Sequence, residues 1–369
     1  MDPQQVFCPN LACPARGRRD ADNIRVHSRK ERRYRCRVCG KTFVETIGTI
    51  FYRRQLAADL ISIIVTLLAH GCPPKAIERA YDLDERTVSS LLVSAGQHGQ
   101  QVHEQLVQRP RDLGQVQADE LRVKACGLVL WVAMALQVST RLWLGAEVNA
   151  QRGTPLLRAL IQRVRACALC RPMLFCVDGW RAYVNVIAQV FREPVPTGQS
   201  GRPRLRPWDN VCVAQVVKQY AQGHVVGILR RVVQGTTAQV ATLIQHSQGA
   251  GDINTAYIER LNATFRSRLS RLVRRGRALA HQTVPLHAGL YLVGTVYNFC
   301  TDHASLRVAG IINGHKWLPR TPAMAAGLAD HRWSVQELLA YTVPRPRWTP
   351  PKQRGRRSQI LKQLIQQWG

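Results

Sequence analysis

The spacing of apolar residues changes character several times along the chain. Over 55–107 they recur at helical intervals, with Leu56, Leu60, Ile63, Ile64, Leu67 and Leu68 on one face. The pattern breaks over 71–74 and a second periodic run follows. From residue 113 it turns to β-rich runs over 116–123, 128–137 and 142–148, parted by short turn-like gaps, which predicts an antiparallel meander. A helix is predicted over 155–168, an apolar strand over 173–177 and a helix over 182–191. Next come a Pro-, Gly- and Arg-rich loop over 194–210 and strands over 211–218 and 225–233. A long basic helix over 255–280 precedes further helices to about 341, and a short apolar helix is predicted over 360–365. The fold class is α/β, in four stretches: 1–52, 53–110, 111–300 and 301–369.

Composition narrows the partners. The 369 residues carry 52 Lys and Arg against 23 Asp and Glu, a formal charge of +29, which points to a polyanion such as DNA or RNA. The basic residues are clustered: 260–277 holds seven Arg and no acid, and no acid follows Glu337. No membrane partner is expected, because the longest apolar stretch, 125–138, is too short to span a bilayer and no lipidation motif is present. The first ten residues lack a basic region followed by an apolar one, so no secretory leader is expected. Eleven cysteines, several inside apolar runs, favour reduced thiols and metal ligation in the cytoplasm over a disulfide framework.

Stretch 1–52 carries Cys8-x4-Cys13 and Cys36-x2-Cys39, two knuckles whose spacing lets four thiolates reach one structural Zn²⁺. The basic segment between the knuckles, with Tyr34 and Phe43 around it, suits a zinc ribbon lying on DNA. Cys126, Cys167, Cys170, Cys176 and Cys212 lack such a pattern and are expected as ordinary thiols, mostly buried. In 53–110, helix starts at Pro73-Pro74 and at Glu85 around the tight stretch 81–84 predict a helix-turn-helix. Arg86, Thr87, Ser89 and Ser90 would be its reading positions.

Acids are scarce, so three in apolar settings stand out. Asp119 lies in the first strand of the meander, Asp178 ends the strand LFCVD, and Glu259 opens the basic helix behind the candidate N-cap Thr255. Acids on strand one, strand four and a late helix follow the layout of a ribonuclease-H-like mixed sheet, where three carboxylates converge on Mg²⁺ or Mn²⁺ and serve phosphodiester attack. Alternatives stay open for each. Glu120 could replace Asp119, Asp178-Gly179 could be only a turn, and Glu259 could pair with Arg266 or a neighbour. Arg260 and Asn262 would position a phosphate or pack, while Arg266, Arg268, Arg271, Arg274 and Arg275 would meet the DNA backbone. His281 and His287, and the aromatics Trp180 and Tyr183, are open between structural and site roles.

The blocks CPNxxCP…YRCRVCGKTF, QADE…K, CVDGWRAY and NTAYIERLNATFRSRLSRLVRRGRAL…H, from Phe7 to His287, resemble the DDE transposases of the bacterial insertion-sequence-one family. The resemblance implies Asp119, Asp178 and Glu259 as the catalytic triad, double-stranded element ends joined to target DNA through a 3′-hydroxyl, and a synaptic homodimer or higher assembly. It also implies a cytoplasmic, nucleoid-associated protein. The stretch beyond Arg307 has no counterpart in the family's shorter members. Two other readings stay open: a DNA-binding regulator without catalysis, and a ribonuclease-H-like nuclease or resolvase.

Overall fold

A computed structural model of the chain describes residues 1–125, 127–195, 201, 203–273, 283–312, 315–352 and 355–369. Cys126, Arg274, Arg275 and His281 lie outside the described residues. The chain forms two compact units, one of Met1–Ala58 with Leu339–Gly369 and one of Asp59–Leu338.

The smaller unit is built on a three-stranded antiparallel sheet of β1 (Ile24–Ser28), β2 (Arg33–Cys36) and β3 (Thr42–Val44). Period-two alternation turns Tyr34 and Cys36 inward, where Phe43 stacks on Tyr34 at 5.8 Å between ring centroids. The C-terminal segment belongs to this core, which separate stretches at 1–52 and 301–369 did not anticipate. Arg16 donates to the Pro346 and Arg347 carbonyls, Arg19 to that of Thr342 and Arg18 to that of Trp368. Gly17 (φ 69°) must be glycine, since a Cβ there would lie 2.3 Å from the Arg345 oxygen.

The larger unit opens with helices α1 (Ala58–Ala69), α2 (Pro74–Tyr81) and α3 (Glu85–Leu106). The Asp84 side chain caps α3 by accepting from the Arg86 N–H. A six-stranded sheet follows, in the order β11-β10-β7-β4-β5-β6. Strands β4 (Gln115–Ala125), β5 (Leu128–Gln137) and β6 (Trp143–Asn149) form the antiparallel meander; β7 (Met173–Asp178) lies parallel to β4. Helices α4 (Thr154–Cys167) and α5 (Arg181–Val190) cover one face, and a small hairpin, β8 (Arg192–Pro194) with β9 (Leu205–Pro207), follows α5. Strand β10 (Val211–Ala221) runs parallel to β7 and turns back as β11 (His224–Gln234). Covered on both faces, β7 is apolar from Met173 to Val177.

The opposite face is covered by α6 (Thr237–Gln248), α7 (Ala256–Arg268) and α8 (Thr283–Cys300). Three differences from the sequence reading arise in this part of the chain. Helix α6 was not expected; it starts at a Thr236–Gln239 capping box. The basic helix expected over 255–280 ends at Arg268 among the described residues, because Leu269 leaves helical geometry and a 3₁₀ turn, Ser270–Leu272, sends Leu272 into the core against β4; 274–280 lie outside the described residues. The helices expected to 341 are interrupted by the hairpin β12 (Val308–Ile312) and β13 (His315–Leu318), before the short α9 (Pro322–Ala325) and α10 (Val335–Ala340). In the smaller unit, α11 (Gln359–Trp368) ends the chain, capped by Ser358 and burying Trp368. Among the described residues no helix is long and apolar enough to cross a membrane.

Candidate active site

Strand register brings the first two acids together. The parallel pairing of β4 with β7 runs Gln115↔Leu174, Val116↔Phe175 and Gln117↔Cys176, and the same offset sets Asp119 against Asp178. Pairing stops after Gln117; β4 continues with β5 alone, while Asp178 stays paired with Val216 of β10. The two strands therefore part where the carboxylates stand, at the point where the sheet's connections run off in opposite directions. Open sheets bind ligands at such a point.

The crevice there is a cleft of about 700 Å³ lined by Asp119, Glu120, Asp178, Glu259, Asn262 and the cations Arg152, Lys218 and Arg266. Asp119 Oδ1 accepts from the Glu120 N–H at 2.9 Å and Oδ2 from Asn262 Nδ2 at 2.7 Å. Burial, with the charges of Asp178 and Glu259 adding to it, pushes the Asp119 carboxyl up to about 6. Glu120, whose side chain is 1% exposed, is bound by Arg152 at 2.9 Å and faces the buried Tyr183 hydroxyl; burial pushes it up to about 7. Asp178 accepts from the Trp180 N–H at 2.9 Å, and Arg152 bridges it to Glu120 at 3.4 Å while lying over the Trp180 ring.

The acids meet differently from the ordered trio. Oxygens of Asp119, Glu120 and Asp178 lie within 4.8 Å of one another and could hold a metal ion. Glu259 lines the same cleft but is not in that cluster; it takes Lys218 at 2.8 Å and the Thr255 hydroxyl at 3.0 Å. It is therefore ion-paired with Lys218, on β10. Thr255 does not cap α7 with its side chain. That task falls to Gln117, fully buried on β4, whose Oε1 accepts from the Tyr257 and Ile258 N–H groups while Nε2 donates to the Asn254 carbonyl. Gln117 thereby ties the first turn of α7 to the strand carrying Asp119. Its signal was visible in the sequence: Gln115 and Gln117 alternate inside an apolar strand, where a buried amide needs partners.

Asn262 is 2% exposed and points at Asp119, with its Oδ1 buried and unpaired among the described residues. Arg260 is exposed, Arg266 is half-buried at the cleft, and Arg268 and Arg271 are half-buried and not part of its lining. Tyr183 is core, and His287 packs on Tyr291 at 4.8 Å, outside the cleft lining. On α3, Arg86, Ser89 and Ser90 are exposed and Thr87 is half-buried.

In the smaller unit the two knuckles interleave. Cys8 Sγ lies 3.7 Å from Cys39 Sγ and Cys13 Sγ lies 3.8 Å from Cys36 Sγ, and all four sulfurs fall within 4.8 Å of one another. Burial pushes the Cys13 thiol up to about 12, so four thiolates in this space call for a cation. Cys167, Cys176 and Cys212 are buried free thiols and Cys170 is exposed.

No known protein-family model matches the chain, and a search of characterised proteins returns no significant match.

Proposed function

We propose that this protein is a DNA transposase of the DDE type, with the cleft at Asp119 and Asp178 as its strand-transfer site. The observation that carries the reading is the meeting of Asp119 and Asp178 at the parting of β4 and β7, with Glu259 and three cations lining one cleft. We read the sheet, a three-strand meander followed by two parallel strands and an edge strand, as ribonuclease-H-like. Hard carboxylate oxygens fit Mg²⁺ or Mn²⁺, and the raised Asp119 and Glu120 carboxyls are what a dication would relieve. Asp119 and Asp178 would hold it, with Glu259 or Glu120 completing the set. A dication bound there supplies activation of the attacking oxygen and stabilisation of the leaving one.

The chain's own residues do the rest. Asn262 fixes one Asp119 oxygen, Gln117 fixes the helix that carries Glu259, and Arg152, Lys218 and Arg266 offer charge to the scissile phosphate. The four-cysteine cluster is read as a structural Zn²⁺ site: Zn–S bonds of ~2.3 Å at tetrahedral angles put sulfurs about 3.8 Å apart, the spacing seen at Cys8–Cys39 and Cys13–Cys36. That unit and the α2–α3 pair would recognise double-stranded element ends, with Arg86, Thr87, Ser89 and Ser90 as base-reading positions.

The test uses DNA from the flanks of the protein's own gene, with Mg²⁺ or with chelator. Metal-dependent 3′-end cleavage by wild type, lost in Asp178→Ala with end binding retained, is expected. Equal binding with no cleavage by either protein would favour a regulator, and cleavage of branched substrates alone would favour a resolvase.

A further inference from the structure

Between α8 and α10 the larger unit holds a second pocket, of about 1000 Å³, whose lining shares no residue with the cleft. Trp317 of β13 stands in it. The Arg307 guanidinium lies over the indole at 4.6 Å from the ring centroid, yet Trp317 is still 48% exposed. One side of the ring is thus taken by a cation while the rest is open to a second planar group. Val308, Leu318, Pro319 and Met324 give the pocket an apolar wall.

Charge narrows the occupant. Arg307, Lys316, Arg320 and Arg332 line the pocket against two acids, Asp302 and Asp330. Both acids are engaged, Asp302 by Arg332 at 2.6 Å and Asp330 by His331 at 2.6 Å. Arg307 and Lys316 are exposed and form no ion pair among the described residues, so the pocket stays cationic. Burial, and then the nearby charges of Arg141 and Arg260, hold the His303 imidazole of the same lining below its ordinary range. Arg260 follows Glu259 on α7, so positive charge runs from the helix of the cleft to this pocket. An open indole, an apolar wall and unpaired cations together fit a group that is flat, apolar on its face and anionic at its edge, which is a nucleotide. Paired bases keep their faces inside the duplex stack, so an indole in a pocket meets only an unpaired one.

We propose that this pocket binds single-stranded DNA, with Trp317 stacking on an unpaired base and Arg307 and Lys316 holding the phosphates beside it. Trp317 lies beyond Arg307, in the stretch without a counterpart in the family's shorter members. The inference rests on DNA being the substrate, but not on the acids of the cleft. Fluorescence anisotropy of the full chain, without Mg²⁺, compares labelled oligothymidylate with a labelled random duplex. Wild type should bind both. Trp317→Ala should weaken oligothymidylate binding about tenfold or more, with duplex affinity and melting temperature unchanged, and Trp317→Phe, which keeps a ring, should retain most of it. Arg307→Ala with Lys316→Ala should lower the slope of log affinity against log salt by about 1.4, two phosphate contacts at ~0.7 each. Duplex binding without oligothymidylate binding would overturn this proposal and leave the transposase reading standing, whereas binding of neither would remove both. Undiminished oligothymidylate binding by Trp317→Ala, or equal losses on both DNAs, would also overturn it. So would displacement of the strand by poly-glutamate as readily as by unlabelled oligothymidylate, which would mark a site for acidic protein.

Discussion

Asp119 is held ionised at a cost, and the sign of that cost can be measured. In the unfolded chain its carboxyl ionises in the ordinary range near 4, whereas in the fold burial holds it up to about 6. Between those values the folded state binds the extra proton, so stability in chelator falls as pH rises from about 4 to about 6, and the penalty is complete above that. Asp119→Asn should therefore stabilise the chelated protein by ~1–2 kcal/mol at pH 8, with the gain shrinking as pH falls and vanishing only below the ordinary carboxylate range, read by denaturant unfolding. The same variant should lose cleft metal binding. Asn262→Ala tests the neighbouring support: removing the amide from Asp119 Oδ2 should lower strand transfer by about 10–100-fold, with end binding unchanged in a gel-shift titration. At this scale Asp119 and Asp178 were legible because a charge inside an apolar strand needs a reason. Glu120 was legible only as a substitute for Asp119 rather than its companion, and Arg152 and Lys218 were not legible, because their positions depend on which elements become neighbours.

Elements with strong periodicity were legible close to their observed limits; β5 spans Leu128–Gln137 as its apolar run indicates. Where one face is only thinly apolar the sequence said little. Helix α6 buries Val240, Leu243 and Ile244 along an otherwise polar segment, and its start is marked only by a side-chain capping box. The end of α7 is set by the burial of Leu272 rather than by any breaker residue, so periodicity overran it. The placement of α11 is tertiary throughout: its Trp368 joins Cys8, Cys13, Cys36 and Tyr34 in one core, with Arg18 over the indole at 5.4 Å. Deleting 359–369 should speed chelator extraction of zinc from the cysteine cluster at least tenfold, followed with a colorimetric zinc indicator. Metal binding in the cleft, which lies in the other unit, should not change.

At the scale of the whole molecule, charge and architecture divide the work. A protein of +29 that neutralises six or more phosphates should lose about a thousandfold in affinity for random duplex DNA between 50 and 200 mM salt. Arg86→Ala should reduce the preference for element ends over random duplex while leaving that salt dependence nearly intact, which competition gel shifts would show. The central claim is that the cleft joins DNA strands, and one measurement addresses it directly. A pre-cut element end bearing a free 3′-hydroxyl is incubated with plasmid target, Mg²⁺ and either wild type or Asp178→Ala. Covalent joining by wild type, abolished by chelator and in the variant, is the predicted result; joining by Asp178→Ala at the wild-type rate would contradict the account.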